Sequence, residues 1–103
     1  MDKEAVIDRV KQYSDLVRRN FNVRKVVLYG SYAKGTARED CSDIDVAVVL
    51  DKLDDDILAS EARLFRLRRN IDLRIEPVLL DEKDRTGFLD EILKTGQIIY
   101  SAD

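Results

Sequence analysis

Asp43 and Asp45 stand two residues apart at the head of an apolar run, Val46 to Leu50. Side chains two apart on an extended strand project to the same face, so this spacing predicts two carboxylates side by side. At roughly 6–7 Å and an effective dielectric near 20, such a pair repels by about 2.5 kcal/mol. A cation held between them would relieve that repulsion. Paired carboxylate oxygens suit a hard, partly hydrated ion such as Mg²⁺. Upstream, Gly30-Ser31 ends the short run Arg24-Lys25-Val26-Val27-Leu28-Tyr29. A Gly-Ser turn at a strand end offers backbone N–H groups and a hydroxyl to a phosphate. Together these residues point to the handling of a phosphate beside a divalent cation.

The composition narrows the chemistry further. The 103 residues contain no histidine, which excludes Ser-His triads, histidine general bases and His-ligated zinc. Any catalysis must run on carboxylates, hydroxyls and bound metal. One cysteine excludes an internal disulfide and fits a reducing compartment, which implies a cytoplasmic location. The net charge of −3 argues against general nucleic-acid binding, which needs a basic surface. No apolar run approaches the ~20 residues that span a bilayer, and Met-Asp-Lys-Glu has no signal-peptide pattern. With 45% hydrophobic and 38% charged residues, the expectation is a soluble single domain over residues 1–103.

The elements that must position the candidate site follow from periodicity. Val6, Val10, Tyr13 and Val17 recur at helical spacing within a helix over residues 3–20. Residues 24–29 form a buried strand delivering Gly30-Ser31, and residues 43–50 a second strand behind a polar loop. Asp51, Asp54, Asp55 and Asp56 precede a helix running to about Asn70, whose N-terminal dipole end they favour. Leu58, Ala62 and Phe65 are its expected inward stripe, and Arg63, Arg66, Arg68 and Arg69 read as its solvated C-terminal end, with a partner-binding patch as the competing reading. Residues 71–80 alternate as a third strand, with Pro77 near an edge or bulge. Residues 86–95 make a short helix stopped by Gly96, with Phe88, Leu89, Ile92 and Leu93 inward. Residues 97–100 form a last strand. The order predicts an α/β (α+β) fold, a mixed sheet of about four strands with helices covering one face.

Gly30-Ser31, Lys34-Gly35, Arg38 and Ser42-Asp43-Ile44-Asp45, in that order and on those elements, resemble the minimal nucleotidyltransferases of the DNA polymerase β superfamily. The resemblance covers most of the chain, with a connecting loop one residue longer than the family's usual spacing. It implies a polymerase-β-like core and a two-metal Mg²⁺ site with ATP as substrate. Asp43 and Asp45 would be catalytic metal ligands. Gly30 and Ser31 would bind the nucleotide's phosphates, helped by Lys34 and Arg38, for which loop solubility is the competing reading. The family uses a third carboxylate on the neighbouring strand, for which Asp72 and Glu76 both qualify. The distance to Gly96, as in similar short proteins, favours Glu76 as metal ligand or general base. Tyr29 is expected in the core and Tyr32 at the surface, and Cys41 has no assigned role.

The activity so implied is transfer of a nucleoside monophosphate, AMP from ATP, to a hydroxyl. Small proteins of this kind are commonly antitoxins, which modify a tyrosine of a partner HEPN-type toxin; an oligomer with that partner is the matching expectation. Two alternatives stand beside that reading: a non-catalytic binding antitoxin with a vestigial site, and a nucleotidyltransferase acting on a small molecule.

Overall fold

The computed structural model describes residues 2–35 and 42–103; Arg38 and Cys41 lie outside the described residues. The chain opens with helix α1, Lys3–Asn20. The Asp2 carboxylate accepts a hydrogen bond from the Ala5 N–H at 2.8 Å and so caps one of the otherwise unpaired donors of the first turn. Val6, Val10, Tyr13 and Val17 line its buried face as their spacing predicts. The Tyr13 hydroxyl, deep in the core, donates to the Leu64 carbonyl at 2.7 Å, so the helix is fixed by a satisfied polar contact as well as by packing.

Strand β1, Val23–Tyr29, leads into a single helical turn, α2, Ser31–Lys34, and β2 follows over Ile44–Leu50. Helix α3, Ile57–Leu67, is prolonged by a 3₁₀ turn, Arg68–Asn70. Then come β3, Ile75–Asp81, α4, Phe88–Thr95, and β4, Gln97–Ser101. The four strands form one mixed sheet in the order β3-β2-β1-β4. β1 runs antiparallel to both its neighbours, whereas β2 and β3 are parallel. A parallel pair needs a crossover connection, which α3 supplies. β3 is an edge strand, the position in which Pro77 costs no ladder hydrogen bond to an outer neighbour.

The sheet separates two cores. Val26, Leu28, Ile44, Val46, Val48 and Ile75 pack with α1 and with Leu64 of α3. The alternate residues Val27 and Ala47 pack instead with Ile92 of α4, joined by Tyr29, Val78 and Leu80. Thus α1 and α3 cover one face as expected, and the short α4 shields part of the other. The rest of that second face carries the candidate site.

Several sequence expectations are corrected in detail. The polar loop after Gly30 begins as α2, which buries Tyr32 in the main core, while Tyr29 is only partly buried; their expected roles are reversed. Strand parity explains Tyr29, because it shares the less covered face with Val27. The third strand begins at Ile75 rather than residue 71, so Asp72 and Arg74 lie in the turn before it. Helix α3 turns Ser60 and Leu64 inward, not Leu58 and Ala62. Leu58 is 80% exposed. The arginines beyond it are not uniformly solvated: Arg63 donates to the Asn20 carbonyl, and Arg68 to the Leu73 and Ile75 carbonyls.

Candidate active site

The site forms where β1 ends and β2 begins. Because these strands are antiparallel, the last residue of one meets an early residue of the other, and Tyr29 pairs with Asp45. On the far side of β2 the parallel register pairs Asp45 with Glu76. Tyr29, Asp45 and Glu76 therefore form one row across three strands. Residues paired across a ladder share a face, and this row lies on the α4 side. Asp43 precedes the row and is exposed. The Ile44 N–H donates to the Arg74 carbonyl at 2.9 Å, extending the β2–β3 ladder back toward it.

Gly30 makes the corner work. Its φ of 74° lies where side chains are disfavoured, and a Cβ added there would fall on the Asp45 carboxylate. Only a glycine lets the turn and this carboxylate come so close. Ser31 starts α2 directly behind it, and the Lys34 N–H returns to the Gly30 carbonyl at 3.1 Å. Lys34 itself is exposed at the end of that turn.

Electrostatics separates the acidic groups. Asp45 is held above the ordinary carboxylate value of 3.8, first by partial burial, then by the charges of Asp43 and Glu76. Asp43 and Glu76 thus both act on Asp45. Tyr29 is raised from 10.0, first by burial and then by the Asp45 charge. Its ring meets Phe88 edge-on, with centroids 5.9 Å apart, which ties α4 to this end of the sheet. Burial pushes Asp72 upward as well, but hydrogen bonds from Arg74 outweigh it and leave Asp72 below 3.8. The Arg74 guanidinium holds Asp72 at 3.2 Å and reaches the Tyr32 hydroxyl at 3.5 Å. Of the two candidate third carboxylates, Glu76 stands in the row with Asp45, and Asp72 is bound up with arginine.

Among the described residues no three His, Cys, Asp or Glu side chains are drawn close enough to enclose a metal ion. Glu76 leans toward Arg68, at 3.5 Å. The donor chemistry nevertheless fits a hard divalent cation. The groups are all carboxylates, and Asp45 is raised first by partial burial and then by the charges of Asp43 and Glu76, which a bound cation would offset. The contributions of Tyr29, Arg68 and Arg74 escaped the sequence reading. Tyr29 had a usable signal, since it immediately precedes Gly30 and has the parity of the site face. Arg68 had none, because its contact with Glu76 depends on how α3 crosses back to β3.

The fold and this corner define a class. Residues 11–103 match the polymerase beta nucleotidyltransferase family, and the chain belongs to it. No curated protein matches. The fold is similar to that of a protein from Sulfolobus solfataricus described as a candidate nucleotidyltransferase. The TM-score is 0.72 at 23% identity, over 97% of this chain and 84% of that one. It is also similar to a toxin–antitoxin structure with AMP-PNP, at a TM-score of 0.60 and 22% identity, covering 100% of this chain and 76% of that one. A mutant of the toxin–antitoxin MntA-HpeT, bearing two Asp-to-Glu changes, has a TM-score of 0.59 at 20% identity, with the same coverage. At such identities the likeness to these three is one of fold.

Proposed function

We propose that this protein is a Mg²⁺-dependent nucleotidyltransferase that moves AMP from ATP to a hydroxyl, a tyrosine of a partner HEPN-type toxin, and so neutralises it. The observation that carries this reading is the close approach of the Gly30 turn to Asp45, a carboxylate raised by partial burial and then by the charges of Asp43 and Glu76. Family membership supports the chemistry. The toxin–antitoxin neighbours support the biological setting, and the AMP-PNP of one supports an adenine nucleotide. The other carries its two Asp-to-Glu changes two positions apart, the spacing of Asp43 and Asp45.

In this reading the Gly30 and Ser31 N–H groups and the Ser31 hydroxyl hold the β- and γ-phosphates, with Lys34 and Arg38 adding positive charge. Asp43, Asp45 and Glu76 hold Mg²⁺. When bound, the metal neutralises charge on the attacking and leaving oxygens. The acceptor oxygen bonds to the α-phosphorus as the bond to pyrophosphate breaks. The hydroxyl proton passes to Glu76 acting as general base. The single domain over residues 1–103 carries all these groups, and the lone cysteine accords with work in the cytoplasm.

Isothermal titration with ATP and Mg²⁺ is expected to show binding that chelation abolishes and that Asp43→Asn with Asp45→Asn removes. Incubation with labelled ATP and the toxin is expected to leave one or a few AMP groups on a toxin tyrosine. Equal neutralisation by the double mutant, without label, would replace this reading by a docking-only antitoxin.

A further inference from the structure

Glu76 stands in the row with Asp45, yet its carboxylate leans away from it. Its partner is Arg68, whose Nη1 lies 3.5 Å from the Glu76 Oε1. β3 is an edge strand with β2 on its inner side, so this guanidinium reaches Glu76 around the open edge. Among the described residues no other ion pair reaches the row.

The fold holds Arg68 at both ends. Its carbonyl accepts from the Ile71 and Asp72 N–H groups at 3.0 and 2.9 Å, which fixes the turn after α3. Its Nη1 donates to the Leu73 carbonyl at 3.1 Å and to the Ile75 carbonyl at 2.9 Å. Its guanidinium carbon lies 4.8 Å from the centroid of the Phe65 ring. An arginine fork is rigid and stays charged, so these contacts set a fixed positive charge beside Glu76. The contact with Glu76 is the longest of the three that Nη1 makes. The Glu76 side chain is also the looser partner, 44% exposed against 24% for Arg68. When the pair parts, Glu76 is the member that moves.

Glu76 therefore has two competing positive partners, Arg68 and a cation beside Asp45. The described carboxylates do not yet enclose an ion, and Glu76 is the third of the candidate set. We infer that Arg68 is a positioning residue that competes with the divalent cation for Glu76, holding this carboxylate aside until the cation draws it in. This rests on the cation site of the proposed function and on no particular acceptor. It makes the site an ordered one: the Asp43 and Asp45 pair meets the cation first, and Glu76 joins by exchanging one positive partner for another. Arg68 thereby lowers the affinity of the site for the cation.

Binding of Mn²⁺ alone, read from the electron paramagnetic resonance of the free ion, is expected for the wild-type chain and lost on Asp43→Asn with Asp45→Asn. Arg68→Gln is expected to tighten it roughly three- to fivefold, as loss of a partly exposed ion pair would. Damage to the turn would weaken binding instead, so the direction separates competition from a structural role. In the Glu76→Gln background the same change is expected to alter affinity less than about twofold, because nothing is left to compete for. Arg69→Gln removes an equal charge at the next, exposed position and is expected to do as little. A second reading needs no Arg68 variant. The Arg68 side-chain N–H resonances of the wild-type chain are expected to shift with Mg²⁺ to the position they already hold in cation-free Glu76→Gln. Mn²⁺ binding that needs the Asp pair but is unchanged or weakened by Arg68→Gln overturns the inference and leaves the proposed activity standing. So does a gain that persists undiminished with Glu76→Gln, or an Arg68 resonance that Mg²⁺ leaves unmoved. Absence of any Mn²⁺ binding that depends on Asp43 and Asp45 overturns both.

Discussion

Two aspartates at the same end of the sheet have opposite fates. Asp45, on β2, is raised above the ordinary carboxylate value first by partial burial and then by the charges of Asp43 and Glu76. Asp72, in the turn before β3, is gripped by Arg74 through the backbone N–H at 2.9 Å and through the guanidinium, and falls below that value. Their sequence settings are alike: each is an acidic residue two positions from another charged group at the start of a strand. Burial raises both; the difference is that hydrogen bonds and charge from Arg74 outweigh it at Asp72, whereas further carboxylates add to it at Asp45. At Asp45, the second member of the Asp-x-Asp pair, the effect of burial is reinforced by two like charges that a bound cation would offset. An aspartate followed by arginine is neutralised within the fold and becomes part of the scaffold, here a link from the turn before β3 to Tyr32 of α2.

The sharpest way to break this comparison is to remove one carboxylate from each region. Glu76→Gln takes a member from the crowded row and is expected to lower nucleotidyl transfer by roughly 100-fold or more, with the fold intact. Asp72→Asn is expected to keep most of the turnover while costing about 1–2 kcal/mol of stability, since Arg74 loses its charged partner. Transfer rates and thermal melts of the two variants measure both effects. The reverse ranking in rate would move the third carboxylate to Asp72.

A smaller effect tests the corner itself. Gly30→Ala places a methyl group against the Asp45 carboxylate at a positive φ. It is expected to cost about 1–3 kcal/mol. A paired change, Gly30→Ala with Asp45→Gly, removes the collision and is expected to recover part of that stability but none of the nucleotide binding. Chemical denaturation checks the first outcome and titration with ATP and Mg²⁺ the second.

The smallest effect is in the pH dependence. Asp45 binds its proton more tightly in the folded than in the unfolded chain. Its contribution to stability is therefore full below 3.8 and is lost as pH rises through its higher folded value. Asp72 behaves oppositely: its contribution is present above 3.8 and is lost as pH falls through its lower folded value. Relative to wild type, Asp45→Asn is expected to gain stability on going from acid to neutral pH, and Asp72→Asn to lose it. Melting temperatures of the three proteins across that range give the two slopes, and Mg²⁺ is expected to reduce the first alone.

Much of this was written along the chain. The Asp43-x-Asp45 spacing, the Gly-Ser turn at a strand end and the valine stripe of α1 are local signals. Strand alternation, helical periodicity and a glycine's freedom all act within a few residues. Those signals led to the polymerase beta nucleotidyltransferase family and to the carboxylates and turn that the proposed activity uses. What they could not reach depends on which elements become neighbours. Leu58, Ala62 and Phe65 form as good a helical stripe as Ser60, Leu64 and Leu67, and only packing against α1 and β3 decided which faced inward. Tyr29 and Tyr32 are equally apolar, and the sheet face and the turn of α2 decided which was buried. Asp72 and Glu76 have the same parity, and it took the parallel register of β3 on β2 to put Glu76 beside Asp45. Periodicity specifies an amphipathic surface, whereas the long-range pairing of strands determines what that surface meets.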